Sequence, residues 1–434
     1  MNVPIQGLPK SHLAQYSALG MPLAFASLPL YVHVPSFYST VSPLNLATIG
    51  IILLAVRGLD MVSDPLIGAI SDAFQERRRT IMGLAVPVLG LGYFALFFPP
   101  GLSEGGPAAV WLSASLIITY AGFSILMINY YAMGIGLANS SHEHTSVALW
   151  REGAMLIGVL AASILPSSLM GTLTVKNSYG VLAVMLPILL IVASCITLRV
   201  KTGPARSPES RFVPFQLLQN HRLRWILFVI FVNALPMAIT STLFIFFVED
   251  ILGVPKQAGL MLGLYFFSAV IGMPVWSRLS VLIGKTNTLL ISILASIGCF
   301  IWAALLGPGD AYAFYAICFL SGTTLGADMV LLPSLFSEEL VKARAQLGTG
   351  FGWWSFLNKA ALALAAGITL PLLTAGGYQP GTANNVHALA LLSFTYALLP
   401  CGCKLAAAAA LYFGPLMQGR AIQLVATESS GKPQ

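Results

Sequence analysis

Long apolar runs alternate with short polar turns along the whole chain. A helix needs about 20 apolar residues to cross the hydrocarbon of a bilayer. Read at that length, the pattern predicts twelve spans. Six lie in the first half, at 14–37, 44–70, 81–99, 108–137, 148–169 and 178–199. Six more lie at 224–249, 258–283, 287–306, 311–337, 349–375 and 387–416. Several exceed the minimum, which fits tilted helices. The longest polar stretch, 201–223, contains Pro204, Pro208 and Pro214 and parts six spans from six. The expected fold class is therefore an all-α polytopic membrane protein, with twelve transmembrane helices in two six-helix halves. The halves are 1–200 and 224–416, joined by a central cytoplasmic loop at 201–223 and followed by a cytoplasmic tail at 417–434.

Composition agrees with the pattern. Of 434 residues, 57% are hydrophobic and 9% charged, and the mean hydropathy is +0.83. That balance excludes a soluble domain. The net charge of +7 is no nucleic-acid signal, because the basic residues sit in short loops between spans. With both termini cytoplasmic, those loops fall inside, and the outer loops keep only Lys176 and Lys256. This is the positive-inside arrangement. It predicts a multi-pass protein of the plasma membrane, or of the inner membrane in a bacterium, with lipid as its surroundings. The first apolar run is too long for a cleavable signal. The five cysteines lie in apolar segments without metal spacing and read as small buried hydrophobes.

Charges at membrane depth change the picture. They are costly and usually mark an ion or substrate pathway. Asp60 and Asp64 are four residues apart, so on a helix they share one face, with Arg57 one turn before Asp60. Two acids beside one arginine leave a negative charge that needs another cation. Lys359 lies mid-span and cannot easily reach an interface, so it is expected to pair with Asp60 or Asp64. Arg151 and Glu152 open the fifth span as either a gate or an interfacial ion pair. Asp328 has two open readings: a proton or substrate site, or a local partner of Thr323, Thr324 or Ser334. Lys404 reads as a helix–helix contact. Pro22, Pro29 and Pro35 interrupt the first span, a pattern tolerated where a segment lines a cavity. Tyr31, His33 and Tyr38 are candidate lining residues, or else core aromatics. The segment 272–285 loosely repeats 64–79: each is a helix end, a tight basic loop and a new helix. Both loops are candidate latches or plain topology signals.

The pattern R-x-x-D-x-x-x-D-P-x-x-G-x-x-x-D, formed by Arg57, Asp60, Asp64, Pro65, Gly68 and Asp72, resembles the second helix of the glycoside–pentoside–hexuronide cation symporters. These form the melibiose-permease-like branch of the major facilitator superfamily, and the likeness covers nearly the whole chain. It implies that Asp60 and Asp64 are coupling-cation ligands, for a sodium ion or a proton. It puts Ser124 at a cation-site hydroxyl, Lys359 at the lysine that links cation and substrate, and Ser355 at a nearby hydroxyl. Arg151 and Tyr31 fall on the family's fifth-helix arginine and first-helix cavity tyrosine.

The departures bear on the solute. Sugar-binding relatives carry an acid in the first helix and another in the fourth, where this chain has Ala24 and Met127. Their aromatic platform becomes Tyr131, with Asn129 close by. Losing two charged acceptor contacts weakens a galactoside by roughly one hundredfold or more. The asparagine that precedes the second family aspartate is Ser63. The function implied is a cation-coupled symporter of a sugar-like or glycoside-like small solute, working by alternating access as a monomer without a cofactor. The alternatives are a lysolipid or amphiphile carrier and, less favoured, a non-transporting sensor. No nucleophile–base set or zinc motif argues for an enzyme.

Overall fold

The computed structural model describes residues 8–44, 46–100, 106–170, 174–201, 215–379 and 384–415. The expected tail at 417–434 and most of the central loop lie outside them. Among the described residues every regular element is helical. The chain divides into two compact units. One comprises Met1–Phe215 with Arg344–Phe356, and the other Gln216–Ala343 with Leu357–Gln434.

The first unit begins with α1 (Lys10–Ser17), α2 (Gly20–Leu28) and α3 (Val34–Val41), with a π-helical turn at Pro29–His33 between the last two. Proline supplies no backbone N–H. The wide turn at Pro29 divides the predicted first span into pieces, a form that π-bulges often take inside helices. Next come α4 (Leu46–Ala73), α5 (Arg78–Phe97), α6 (Gly106–Ile135), α7 (Ser141–Met170) and α8 (Val175–Thr197). Helix α8 starts where the Thr174 side chain accepts the Asn177 N–H, an N-cap. Helices α5 and α6 touch backbone to backbone. A Cβ on Gly122 would stand 2.6 Å from Leu89 N, and one on Gly92 2.8 Å from Thr119 N. Small residues permit such approach in membrane bundles. Leu89, Leu116, Tyr93 and Phe97 lie in the resulting core.

The second unit holds α9 (His221–Phe246), α10 (Ala258–Ile283), α11 (Lys285–Phe300) and α12 (Ala311–Lys342). Helix α13 (Leu347–Ala375) starts in the first unit and continues here from Leu357. The chain ends with α14 (Val386–Ser393) and α15 (Leu399–Phe413), joined by a π-helical turn at Phe394–Leu398. Asn220 and Asn385 cap α9 and α14 by accepting backbone N–H groups. Glycines set the α10–α12 contact, since a Cβ on Gly322 or Gly326 would lie within 2.5 Å of an α10 carbonyl.

Among the described residues, ten helices are long and apolar enough to cross a membrane. The other two predicted spans are also helical: the broken α1–α3 segment, and α4 with its internal charges. Apolar side chains cover the outside of the helices as well as the core. On α8, Ile188, Ile191, Val192 and Ile196 form one exposed stripe. Cys195 lies in this stripe and is exposed, against the expectation that all five cysteines are buried. A lipid-facing stripe favours the same small apolar residues as a core, so sequence does not separate the two.

Candidate functional site

Helix α4 carries its polar groups toward α6. Asp60 is 6% exposed and Asp64 is fully buried. The Ser124 hydroxyl on α6 donates to Asp60 Oδ1 at 2.8 Å. One turn before Asp60, Arg57 Nε donates to the Tyr120 hydroxyl at 3.4 Å. Farther on, Ser71 donates to Asn129 Oδ1 at 2.5 Å. Three polar rungs therefore run up the α4–α6 contact, with the Asp60 carboxylate in the middle one. Ser63 turns back to its own helix and donates to the Asp60 carbonyl at 2.9 Å. Buried carboxylates with a hydroxyl beside them supply the hard oxygen donors that a small cation takes.

The first turns of α13 also lie against α4. A Cβ on Gly352 would come within 2.5 Å of the Asp64 carbonyl, and one on Gly68 within 2.2 Å of the Gly348 carbonyl. Only glycine permits this approach. Asp72 closes the contact. Its carboxylate accepts the Gly348 N–H at 2.7 Å, the Thr349 N–H at 2.6 Å and the Thr349 hydroxyl at 2.9 Å. Arg78 pairs with it at 3.1 Å. The carboxylate thus satisfies N–H groups that a helix start leaves open, and it sits at the positive end of the α13 dipole. In the sequence Asp72 stands out only as part of the motif, and nothing there marks Thr349.

Arg151 and Glu152 are 2% and 4% exposed, so both charges are buried within the first unit. Both Arg151 Nε and Nη2 donate to Glu152 Oε1, at 3.0 and 2.8 Å. The Tyr131 hydroxyl donates to the same oxygen at 3.0 Å. The guanidinium lies 3.7 Å from the centre of the Tyr131 ring, a cation–π contact. Tyr131 also meets Phe351, with ring centres 5.0 Å apart.

The remaining predicted residues are dispersed. His33 packs on Tyr179 at 5.5 Å, and Tyr179 also meets Phe37 and Phe97. Tyr38 is a core residue whose hydroxyl donates to the Leu96 carbonyl at 2.8 Å. The Tyr31 side chain lies outside the described residues. Asn129 is fully buried and bonded to Ser71 and to the Ile125 carbonyl. Met127 packs partly buried on the first unit's core. Ser355 and Lys359 are half-buried on α13, on either side of the division between the units.

In the second unit, Asp328 on α12 pairs with Lys404 on α15 at 2.5 Å. Lys404 also donates to Asn233 Oδ1 on α9 at 2.8 Å. The local hydroxyls suggested for Asp328 are engaged elsewhere. Thr323 and Thr324 bond to backbone carbonyls, and Ser334 accepts from Lys285. Lys285 also pairs with Glu338, and Lys342 with Glu339. The polar Asn233 inside an apolar span was the signal available for this cluster.

The family described as MFS/sugar transport protein matches residues 15–418. Among curated relatives, the chain is 23% identical to the isoprimeverose transporter of Lactiplantibacillus pentosus, covering 90% of this chain and 85% of that one. It is 21% identical to the inner membrane symporter YicJ of Escherichia coli, covering 89% and 87%. Among solved structures, the E. coli fucose:proton symporter FucP superposes with a TM-score of 0.69 at 14% identity, over 92% of this chain and 98% of that one. A bacterial homologue of the iron transporter ferroportin, in an outward-facing state, gives 0.70 at 15% identity over 92% and 98%.

Proposed function

Since the chain belongs to the MFS/sugar transport protein family, and is thus a multi-pass membrane transporter and not an enzyme, we propose that it couples a cation to the uptake of a neutral, sugar-like solute. The observation that carries this reading is the Ser124–Asp60 hydrogen bond beside the buried Asp64. A sodium ion or a proton taken up at Asp60 and Asp64 neutralises charge on α4. A ligand shifts a conformational equilibrium only by its difference in affinity for the two states. Cation binding at α4 changes what α4 favours around it, and Lys359, with Ser355 nearby on α13, communicates that change to the solute. The protein works as a monomer with both termini in the cytoplasm, and it needs no cofactor beyond the coupling ion.

The solute class is supported by the relatives, one of which is an isoprimeverose transporter, and by the missing acids. Ala24 is buried and apolar, and Met127 packs on the core. Galactosides, which depend on paired carboxylate acceptors, are therefore expected to bind at least one hundredfold more weakly than to a site with both acids. The same two residues favour a second reading, a cation-coupled lysolipid or amphiphile carrier.

Calorimetry on purified protein tests the choice, with isoprimeverose, xylose, melibiose and a lysophospholipid as titrants. Saturable binding of isoprimeverose or xylose, with melibiose far weaker, is the expected result. Binding of the lysophospholipid alone overturns the sugar reading, and tight micromolar binding of melibiose overturns the argument from Ala24 and Met127.

A further inference from the structure

Inside the second unit, one carboxylate oxygen is left over. Asp328 Oδ2 faces the Lys404 ammonium at 2.5 Å, and the ammonium is held from the other side by Asn233 Oδ1 at 2.8 Å. Asp328 Oδ1 is buried and has no hydrogen-bond partner among the described residues. A buried acceptor of that kind loses its hydration without replacement. A pair that served only to join α12 and α15 gains nothing from this, since well-packed apolar residues do that at lower cost.

The local charge is already balanced, so what Oδ1 lacks is a donor and not a cation. The Asp328 side chain as a whole retains 15% of its exposure, although Oδ1 itself is covered. A half-turn about the Cβ–Cγ bond only exchanges the two equivalent oxygens, so a solute hydroxyl would reach Oδ1 through a smaller rotation within that broad torsion. In the first unit Arg151 is likewise neutralised, by Glu152. Neither of these two cations is left to select an anionic solute.

Resting on the sugar-uptake reading, we propose that Asp328 is a solute-binding residue of the second unit, where its carboxylate accepts a hydroxyl of a neutral polyhydroxylated solute. Lys404 keeps the carboxylate ionised, and Asn233 positions Lys404. The acceptor that Ala24 and Met127 do not supply comes from α12.

The test is calorimetric binding of isoprimeverose, xylose and glucuronate, and of the monodeoxy analogues of whichever neutral sugar binds. Wild type is compared with Asp328→Asn and with the double variant Asp328→Leu/Lys404→Met, which removes both charges and guards against misfolding of the single one. Asp328→Asn is expected to weaken the neutral sugar about ten- to one hundredfold. One deoxy analogue that wild type discriminates against should bind Asp328→Asn as well as its parent does, which a purely structural pair would not produce. Unchanged sugar affinity in the double variant, or an unchanged deoxy pattern in Asp328→Asn, overturns the assignment while leaving the sugar reading intact. Preference for glucuronate overturns the neutral class. Failure of wild type to bind any of the sugars removes the sugar reading itself, and this proposal with it.

Discussion

Asp72 takes the Thr349 N–H at 2.6 Å, so a carboxylate at the end of α4 caps the helix that carries Lys359. The two residues are 277 positions apart. The contact holds the start of α13 against the helix with the buried acids, and the glycines at 68, 348 and 352 make the approach possible.

Removing the cap is expected to cost stability before it costs chemistry. Asp72→Ala should destabilise the protein by more than a lost N-cap alone, which costs about 0.5–2 kcal/mol, because it also leaves the largely buried Arg78 without its carboxylate. Thr349→Val removes one hydroxyl bond and keeps the backbone N–H, so its cost should be smaller, about 1 kcal/mol. Thermal unfolding in detergent reads both. Equal effects of the two variants would contradict the capping account.

The Arg151–Glu152 pair makes a different prediction. Glu152→Gln leaves a buried guanidinium uncompensated and should cost about 3–5 kcal/mol. Removing both charges with Arg151→Met/Glu152→Met should cost less than the single change. Tyr131→Phe keeps the ring over Arg151 and loses only the hydroxyl bond, at about 1 kcal/mol. A double variant less stable than Glu152→Gln would show that the pair stabilises the fold beyond neutralising its own charges.

Lys359 separates coupling from movement. Lys359→Met is expected to abolish accumulation driven by a cation gradient. Adding Asp60→Asn should restore solute exchange without concentration, because the unbalanced acid is then also gone. Both are read in vesicles loaded with labelled solute. Gradient-driven accumulation at the wild-type level in Lys359→Met would remove this residue from the mechanism.

The helices were legible because hydrocarbon demands long apolar runs whatever their packing. Their facing was not. Core and lipid sides of α8 are equally apolar, and so Cys195 reads the same as a buried cysteine. The motif located Asp60 and Asp64, and the resemblance located Ser124 beside them. Asp328 and Lys404 were legible singly as charges at membrane depth, and Asn233 as a polar residue in an apolar span, but nothing local joined them, since the two charges are 76 positions apart. Arg151 and Glu152 were singled out as adjacent charges. Neighbours on a helix do not face one another, and only the long arginine stem brings them together beneath Tyr131, which spacing does not reveal. The first span broke at Pro29, one of the three prolines that marked it as interrupted, although hydropathy alone did not say at which of them.

The central claim is that the α4 acids bind the coupling cation. It is tested most directly by accumulation of labelled isoprimeverose in reconstituted vesicles, with a sodium or a proton gradient imposed separately. Wild type should concentrate the sugar under one of the two gradients. Asp60→Asn and Asp64→Asn should each abolish that accumulation while remaining folded, and Ser124→Ala should demand about tenfold more cation, the loss of one hydrogen bond to a charged group. Accumulation at wild-type levels in both aspartate variants would contradict the account.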